Sequence, residues 1–506
     1  MTATRAGSLI GLDVGTTAAR AVAIDLKGDV LAAASADYPL STPRPGWVEQ
    51  DPEGWWAASQ AVLHRVMAEL RYPPLGLGLT GQMHGAVFLD AGDKVIRPAL
   101  LWSDQRTARQ CEAITEAVGR ERLVAITGNP AVTGFQAPKI LWLRDEEPAA
   151  YARVRRVLLP KDYVRLRLTG EYATDVSDAS GTLLLDLRRR SWSAEMLDAL
   201  EIPREWLPSV YEGPHLTGKI SHGVADAVGL PAGLFVAAGG GDNAAAAVGN
   251  GVVREGLISS SIGTSGSLFV PSEVARIDPS GRLHAFCHAI PGGYHVLGAT
   301  LSAGGSLRWW RDASGTTLDY DGMVSSAAQA PPGSEGLIFL PYLAGERTPY
   351  LDPLSRGAFF GLNLRHSFAH ITRAVMEGVT YSLKDSLDLI ANMKIPVTQV
   401  RATGGGARSN LWRQLQADIF GLSIYHAQVD EGPAYGAALL AGVACGVYSN
   451  VFDACSLIRF DPEVNVPNLE LKQLYESGHK TYTDLYAGTA TLMHRLATRS
   501  GPSSTI

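Results

Sequence analysis

Cysteine is scarce in this chain of 506 residues, and its scarcity excludes a good deal. The four thiols, Cys111, Cys287, Cys445 and Cys455, match no metal-ligand spacing and no disulfide framework, and they suit a reducing compartment. His284, Cys287 and His288 lack the second pair that a zinc centre needs, so they read as core packing. Charge is also sparse, at 19% of residues, and 44 basic against 50 acidic side chains leave a net charge of −6. A broad nucleic-acid face would need the opposite balance.

Sustained apolar runs are missing too. Two stretches carry no Asp, Glu, Lys or Arg, 283–307 and 432–452. The first holds three histidines and a Pro-Gly-Gly turn, and the second is broken by Pro433, several glycines and Ser449-Asn450, so no membrane span is expected. The start, 1–7, has no apolar leader core, and the expected location is the cytoplasm. No low-complexity linker divides the chain, and the tail 501–506 reads as frayed.

What is present is 46% hydrophobic sequence, too long for one core, so two large domains sharing an intimate interface and a cleft are expected. The boundary falls near 250–257, giving domains 1–253 and 254–506. Strands are predicted over 9–14, 18–24 and 30–33, with a turn at 27–29. Asp51 as N-cap and Pro52 at the first helical position predict a helix to about residue 70. Buried strands over 75–80, 234–238 and 397–403 each run into glycine, the last two before helices. Both halves therefore read as α/β with mixed sheets, holding ligands at the carboxyl edges of strands.

Two hairpin loops share one pattern: Gly15-Thr16-Thr17 and Gly263-Thr264-Ser265 each follow an apolar strand and precede another. Such turns aim backbone N–H groups and hydroxyls at a small anion, phosphate above all. Recurrence half a chain apart suggests two similar domains, each with one phosphate grip. Asp13, at the end of the first strand, suits a magnesium ion, although an Asp can also complete its own turn. Asp242, after three glycines and before a small-residue helix, is the candidate base, with helix capping as the plain alternative; Asn243 beside it offers an amide to sugar hydroxyls. Gln82, Met83 and His84 combine amide, apolar surface and imidazole at a strand end, as a polyhydroxylated ligand requires. Gly404, Gly405, Gly406 and Ala407 leave bare backbone on which adenine and ribose can lie. The segment 432–438 reads equally as a helix flanking that nucleotide site or as close helix packing.

On these residues the chain resembles the FGGY family of carbohydrate kinases over nearly its whole length, and within it the xylulokinases most closely. Gly357-Ala358-Phe359-Phe360-Gly361-Leu362 followed by 370–378 fits the family signature, and Gly81–Gly85, Leu159–Tyr163, Gly240–Asn243 and Gly345–Pro349 extend the match. A second signature, 134–139, departs at Gln136, where Thr, Ser or Pro is usual. The resemblance implies two actin-like, ribonuclease-H-like domains of the hexokinase and chaperone-ATPase type, with ATP and sugar in the cleft between them. It implies Asp242 as base and Met83, His84, Asp242 and Asn243 against a ketopentose. Trp102 resembles a family position that packs against substrate, and reads equally as a plain core tryptophan. Thr16, Thr17, Thr264 and Ser265 would surround the phosphates, with Mg2+ at Asp13. The expected reaction is ATP-dependent phosphorylation of D-xylulose; ribulose or another polyol, and a non-catalytic actin-like ATP switch, are the alternatives. A homodimer is compatible with the resemblance, and neither nucleic acid nor membrane is an expected partner.

Overall fold

The computed structural model describes residues 7–429 and 431–499; the tail 501–506 lies outside the described residues. Two six-stranded sheets organise the chain. The first comprises β1 (Ser8–Val14), β2 (Ala18–Asp25), β3 (Val30–Asp37), β4 (Pro74–Gly81), β5 (Leu216–Lys219) and β6 (Phe235–Gly241), in the order β5-β6-β4-β1-β2-β3. The second comprises β7 (Gly256–Ile262), β8 (Gly266–Ser272), β9 (His284–Cys287), β10 (Tyr294–Thr300), β11 (Val397–Thr403) and β12 (Ile424–His426), in the order β9-β10-β8-β7-β11-β12. Each sheet begins with an antiparallel hairpin, β1-β2 or β7-β8, and extends it by one antiparallel strand, β3 or β10. Each then adds two parallel strands beside the first, β4 and β6 or β11 and β12. The same topology is thus built twice.

Alternation along β1 explains how its residues divide. Ile10, Leu12 and Val14 enter the core beneath helix α1 (Pro52–Glu69), with Trp55, Val62 and Leu63. Asp51 caps that helix, accepting from the Glu53 amide at 3.0 Å, and Pro52 occupies its first turn as the sequence requires. Gly11 and Asp13 point the other way. β3 extends to Asp37, beyond the 30–33 expected, because its small residues 32–36 pair in register with Ala19–Ala23 of β2. Between β4 and β6 the chain inserts a mainly helical region with its own core around Phe88, Ile140, Leu143, Leu184 and Met196.

The lobes are joined by two helices, α2 (Asp242–Gly249) and α4 (Gly432–Ala444); α3 (Asn410–Phe420) lies between them in sequence. Helix α4 belongs to the second half of the chain yet packs on the first sheet. A Cβ on Gly11 would lie 1.8 Å from the Ala434 carbonyl oxygen, and one on Gly436 would lie 1.8 Å from that of Ala245 in α2. Helix, helix and sheet meet at backbone contact distance, which only glycine permits. Of the two readings of 432–438, close packing is what this helix does. Among the described residues no helix is long and apolar enough to cross a membrane.

Candidate active site

The first hairpin loop is fixed from outside. The Gly15 amide donates to the Ala18 carbonyl at 3.1 Å, and the Tyr38 hydroxyl donates to the Gly15 carbonyl. The Gln50 amide donates to the Thr16 carbonyl at 2.7 Å, and the Trp102 indole N–H to the Thr16 hydroxyl at 3.0 Å. With the carbonyls occupied, the Thr16 and Thr17 amides have no partner among the described residues and are free for an anion. The second loop is held in the same manner. Gly263 N–H donates to Ser265 O at 2.9 Å, while the turn entering the helix Gly304–Ser314 supplies N–H groups from Ala303 and Gly305 to the Thr264 carbonyl.

Asp13 sits one strand-end residue before the first loop, with Oδ1 buried and unpartnered. Burial, then the neighbouring Asp242 carboxylate, pushes its pKa up to about 7 against the opposing pull of Arg20. Asp242 is therefore near enough to act on the Asp13 charge. Asp242 is the first residue of α2, and Gly241 holds the cap position without any side-chain cap bond. Asp242 Oδ1 accepts from the Asn243 backbone N–H at 2.7 Å and its side-chain amide at 3.0 Å, leaving Oδ2 without a partner among the described residues. Burial raises its pKa to about 6, with the Asn243 bonds opposing.

The β4 end reaches the same point. Met83 packs on Gly241, where an added Cβ would approach its Cγ to 2.8 Å. His84 adopts a positive φ of 68°, held by Lys139, whose ammonium donates to the His84 carbonyl at 2.8 Å and the Gly134 carbonyl at 2.6 Å. The His84 Nδ1 lies 2.6 Å from the Gly181 carbonyl and must be its proton-bearing nitrogen, so Nε2 is an acceptor. Burial holds its pKa down near 3, and the ring is neutral. Gln136, the departure from the signature, donates to the Gly85 carbonyl at 2.9 Å and so steadies the same turn. Gln82 is only 1% exposed, and its amide donates to Gln50 at 3.1 Å; it touches the first loop through Gln50. Trp102, 40% exposed, lies beside Thr16.

Gly404–Ala407 abuts the second loop, with Gly404 against the Ile262 carbonyl. A cavity of about 570 Å³ opens there, lined by Gly263, Thr264, Gly305, Gly405, Ser409 and Tyr320. Its size suits a nucleoside. Sequence reasoning found its glycines and missed Arg308, Tyr320 and Asp321, which come from a segment without a motif. It also missed Gln50, Tyr38 and Lys139, whose roles depend on contacts across the fold. His284, Cys287 and His288 are buried: His284 Nδ1 lies 2.8 Å from Asn129 Oδ1, and His288 Nε2 3.0 Å from the Val252 carbonyl.

Models of the FGGY family of carbohydrate kinases match both halves, the N-terminal domain over residues 8–249 and the C-terminal domain over 258–445. The chain belongs to this family. It is 40% identical to the xylulose kinase of Escherichia coli (strain K12), covering 96% of this chain and 99% of that one. It is 39% identical to the xylulose kinase of Lactococcus lactis subsp. lactis, covering 96% and 98%. The crystal structure of a "xyloylose kinase" from Brucella ovis superposes with a TM-score of 0.91 at 37% identity, over 96% of this chain and all of that one. The FGGY chain is accordingly a sugar kinase of two actin-like domains, and ATP is its second substrate.

Proposed function

We propose that this FGGY kinase transfers the γ-phosphoryl group of ATP to the terminal hydroxyl of D-xylulose, giving D-xylulose 5-phosphate. The observation that carries the reading is the placement of Asp242: a half-buried carboxylate of raised pKa, beside Asp13 and Met83, at the point where α2 leaves the first sheet. Xylulose kinases at 39% and 40% identity over nearly the whole chain supply the substrate.

In this reading the ketopentose lies along Met83 and His84, and a sugar hydroxyl donates to His84 Nε2. Asn243 holds Asp242 Oδ1, and Oδ2 accepts the proton of the attacking hydroxyl. A base of pKa near 6 is ionised at neutral pH yet basic enough to assist. Phosphoryl transfer asks mainly for alignment and charge neutralisation, and the free Thr16 and Thr17 amides with the hydroxyls of both loops provide them. Gln82 acts through Gln50 as a positioning residue, and Trp102 walls the sugar site beside Thr16. Adenosine occupies the cavity at Gly404–Ala407. The buried, unpartnered Asp13 Oδ1 is a hard oxygen donor that fits Mg2+, which binds through one carboxylate together with substrate phosphates. The ion would supply charge neutralisation on the transferring group. The division at residues 253 and 254 and a cytoplasmic setting belong to this proposal.

The test is a panel of D-xylulose, D-ribulose, glycerol and D-gluconate in a coupled ADP-release assay. The highest kcat/KM is expected with D-xylulose; preference for another polyol overturns the substrate, and ATP turnover indifferent to all of them overturns the kinase reading.

A further inference from the structure

Between α2 and β7 the chain turns through 250–255, where one lobe passes to the other. A second cavity, of about 410 Å³, opens there, away from both hydroxyl loops. Two arginines line it. Arg401 of β11 stacks over Phe460, its Cζ 4.5 Å from the ring centroid, and Arg254 approaches Phe452 at 5.7 Å. Gln399 and Ser456 add polar atoms between them.

Neither guanidinium has a carboxylate partner among the described residues. Acids on the same segments are engaged elsewhere: Glu255 accepts from the Ser272 hydroxyl and the Glu273 amide, and Asp453 from the Ser449 amide. One Arg401 nitrogen donates to the Asn250 carbonyl, capping the C-terminal end of α2. That bond accounts for one nitrogen only. Arg401 Nε is buried without a partner, and Arg254 makes no hydrogen bond or ion pair among the described residues. Burial, aided by repulsion from Arg254, holds the Arg401 pKa down near 10. Two like charges turned into one cavity, in a chain whose net charge is −6, form an arrangement that a bound anion would relieve.

We infer that the Arg254–Arg401 cavity is a second ligand site, distinct from the ATP and sugar sites, that takes a phosphate group. Paired guanidinium forks suit phosphate oxygens, the flanking Phe452 and Phe460 rings fix the forks, and the volume admits a phosphorylated sugar as well as free phosphate. Its position gives it a mechanical link to catalysis, because Arg401 holds one end of α2 and Asp242 begins the other.

Isothermal titration of the full chain decides it, with Mg2+ and a non-hydrolysable ATP analogue saturating the phosphate loops. Inorganic phosphate and glucose 6-phosphate are the two probes, which separate free phosphate from a phosphorylated sugar as the source. At least one is expected to bind, with R254A weakening it roughly tenfold or more and R254K falling between. Arg254 is exposed, so R254A should keep its melting temperature and its initial turnover in buffer without added phosphate or glucose 6-phosphate. No binding of either probe at concentrations well above about 1 mM overturns the site, as does equal affinity in R254A and the parent. Xylulose kinase activity is measured separately, so failure here leaves the function above standing.

Discussion

The Ser177 hydroxyl accepts a hydrogen bond from the Gly241 amide at 3.0 Å, one residue ahead of Asp242. Ser177 in turn donates to Asp175 Oδ1, and Asp175 Oδ2 lies 2.8 Å from the Lys161 ammonium. Lys161 also sits 2.8 Å from both Asp162 and Asp178, and Arg165 donates to the Ala237 and Ala238 carbonyls of β6. All five charged side chains are fully buried. Burial drives the Asp178 pKa well above its usual value, with the Lys161 charge opposing. This buried knot anchors the strand end that carries the base. Lys161→Met leaves carboxylates buried beside one arginine, and should cost about 3–5 kcal/mol in urea unfolding.

Asp242 and stability pull against each other. Its folded pKa near 6 exceeds the unfolded value, so between about pH 4 and 6 the folded state binds more protons than the unfolded one, and stability falls as pH rises. Asn mimics the protonated form. Asp242→Asn should therefore stabilise the protein at pH 8 by about 1 kcal/mol, a figure reduced for its partial exposure, and by almost nothing at pH 4. Denaturation midpoints at the two pH values check the sign.

His84→Asn separates the two nitrogens of the imidazole. Asn tolerates a positive φ and can keep a donor toward Gly181, but it offers nothing at the Nε2 position. The KM for sugar should rise about tenfold with the KM for ATP unchanged, as loss of one substrate hydrogen bond predicts. Steady-state kinetics with each substrate varied in turn gives the answer.

Gly436→Ala would force a methyl into the Ala245 carbonyl at the contact between α2 and α4. The helices must part, shifting the N-terminus of α2 with them. A loss of at least about 2 kcal/mol is expected in thermal or urea unfolding, together with reduced turnover.

The hairpin loops, the Asp51-Pro52 helix start and the strand ends bearing Gln82, Asp242 and Gly404 were legible because turn and cap chemistry is written in neighbouring residues. The crossing of α4 onto the first sheet was not, since it depends on Gly11 meeting Ala434 from opposite ends of the chain. For the same reason the sequence revealed Gln82 but not that its amide would be turned to Gln50, and Lys161 but not the three carboxylates gathered round it. Long-range polar partners carry no local signal.

Turnover of Asp242→Ala with D-xylulose, measured alongside its affinity for the ATP analogue, tests the role of the base most directly. A fall of at least about a hundredfold in kcat, with nucleotide affinity within about twofold of the parent, is the predicted result. Turnover close to that of the parent would contradict it.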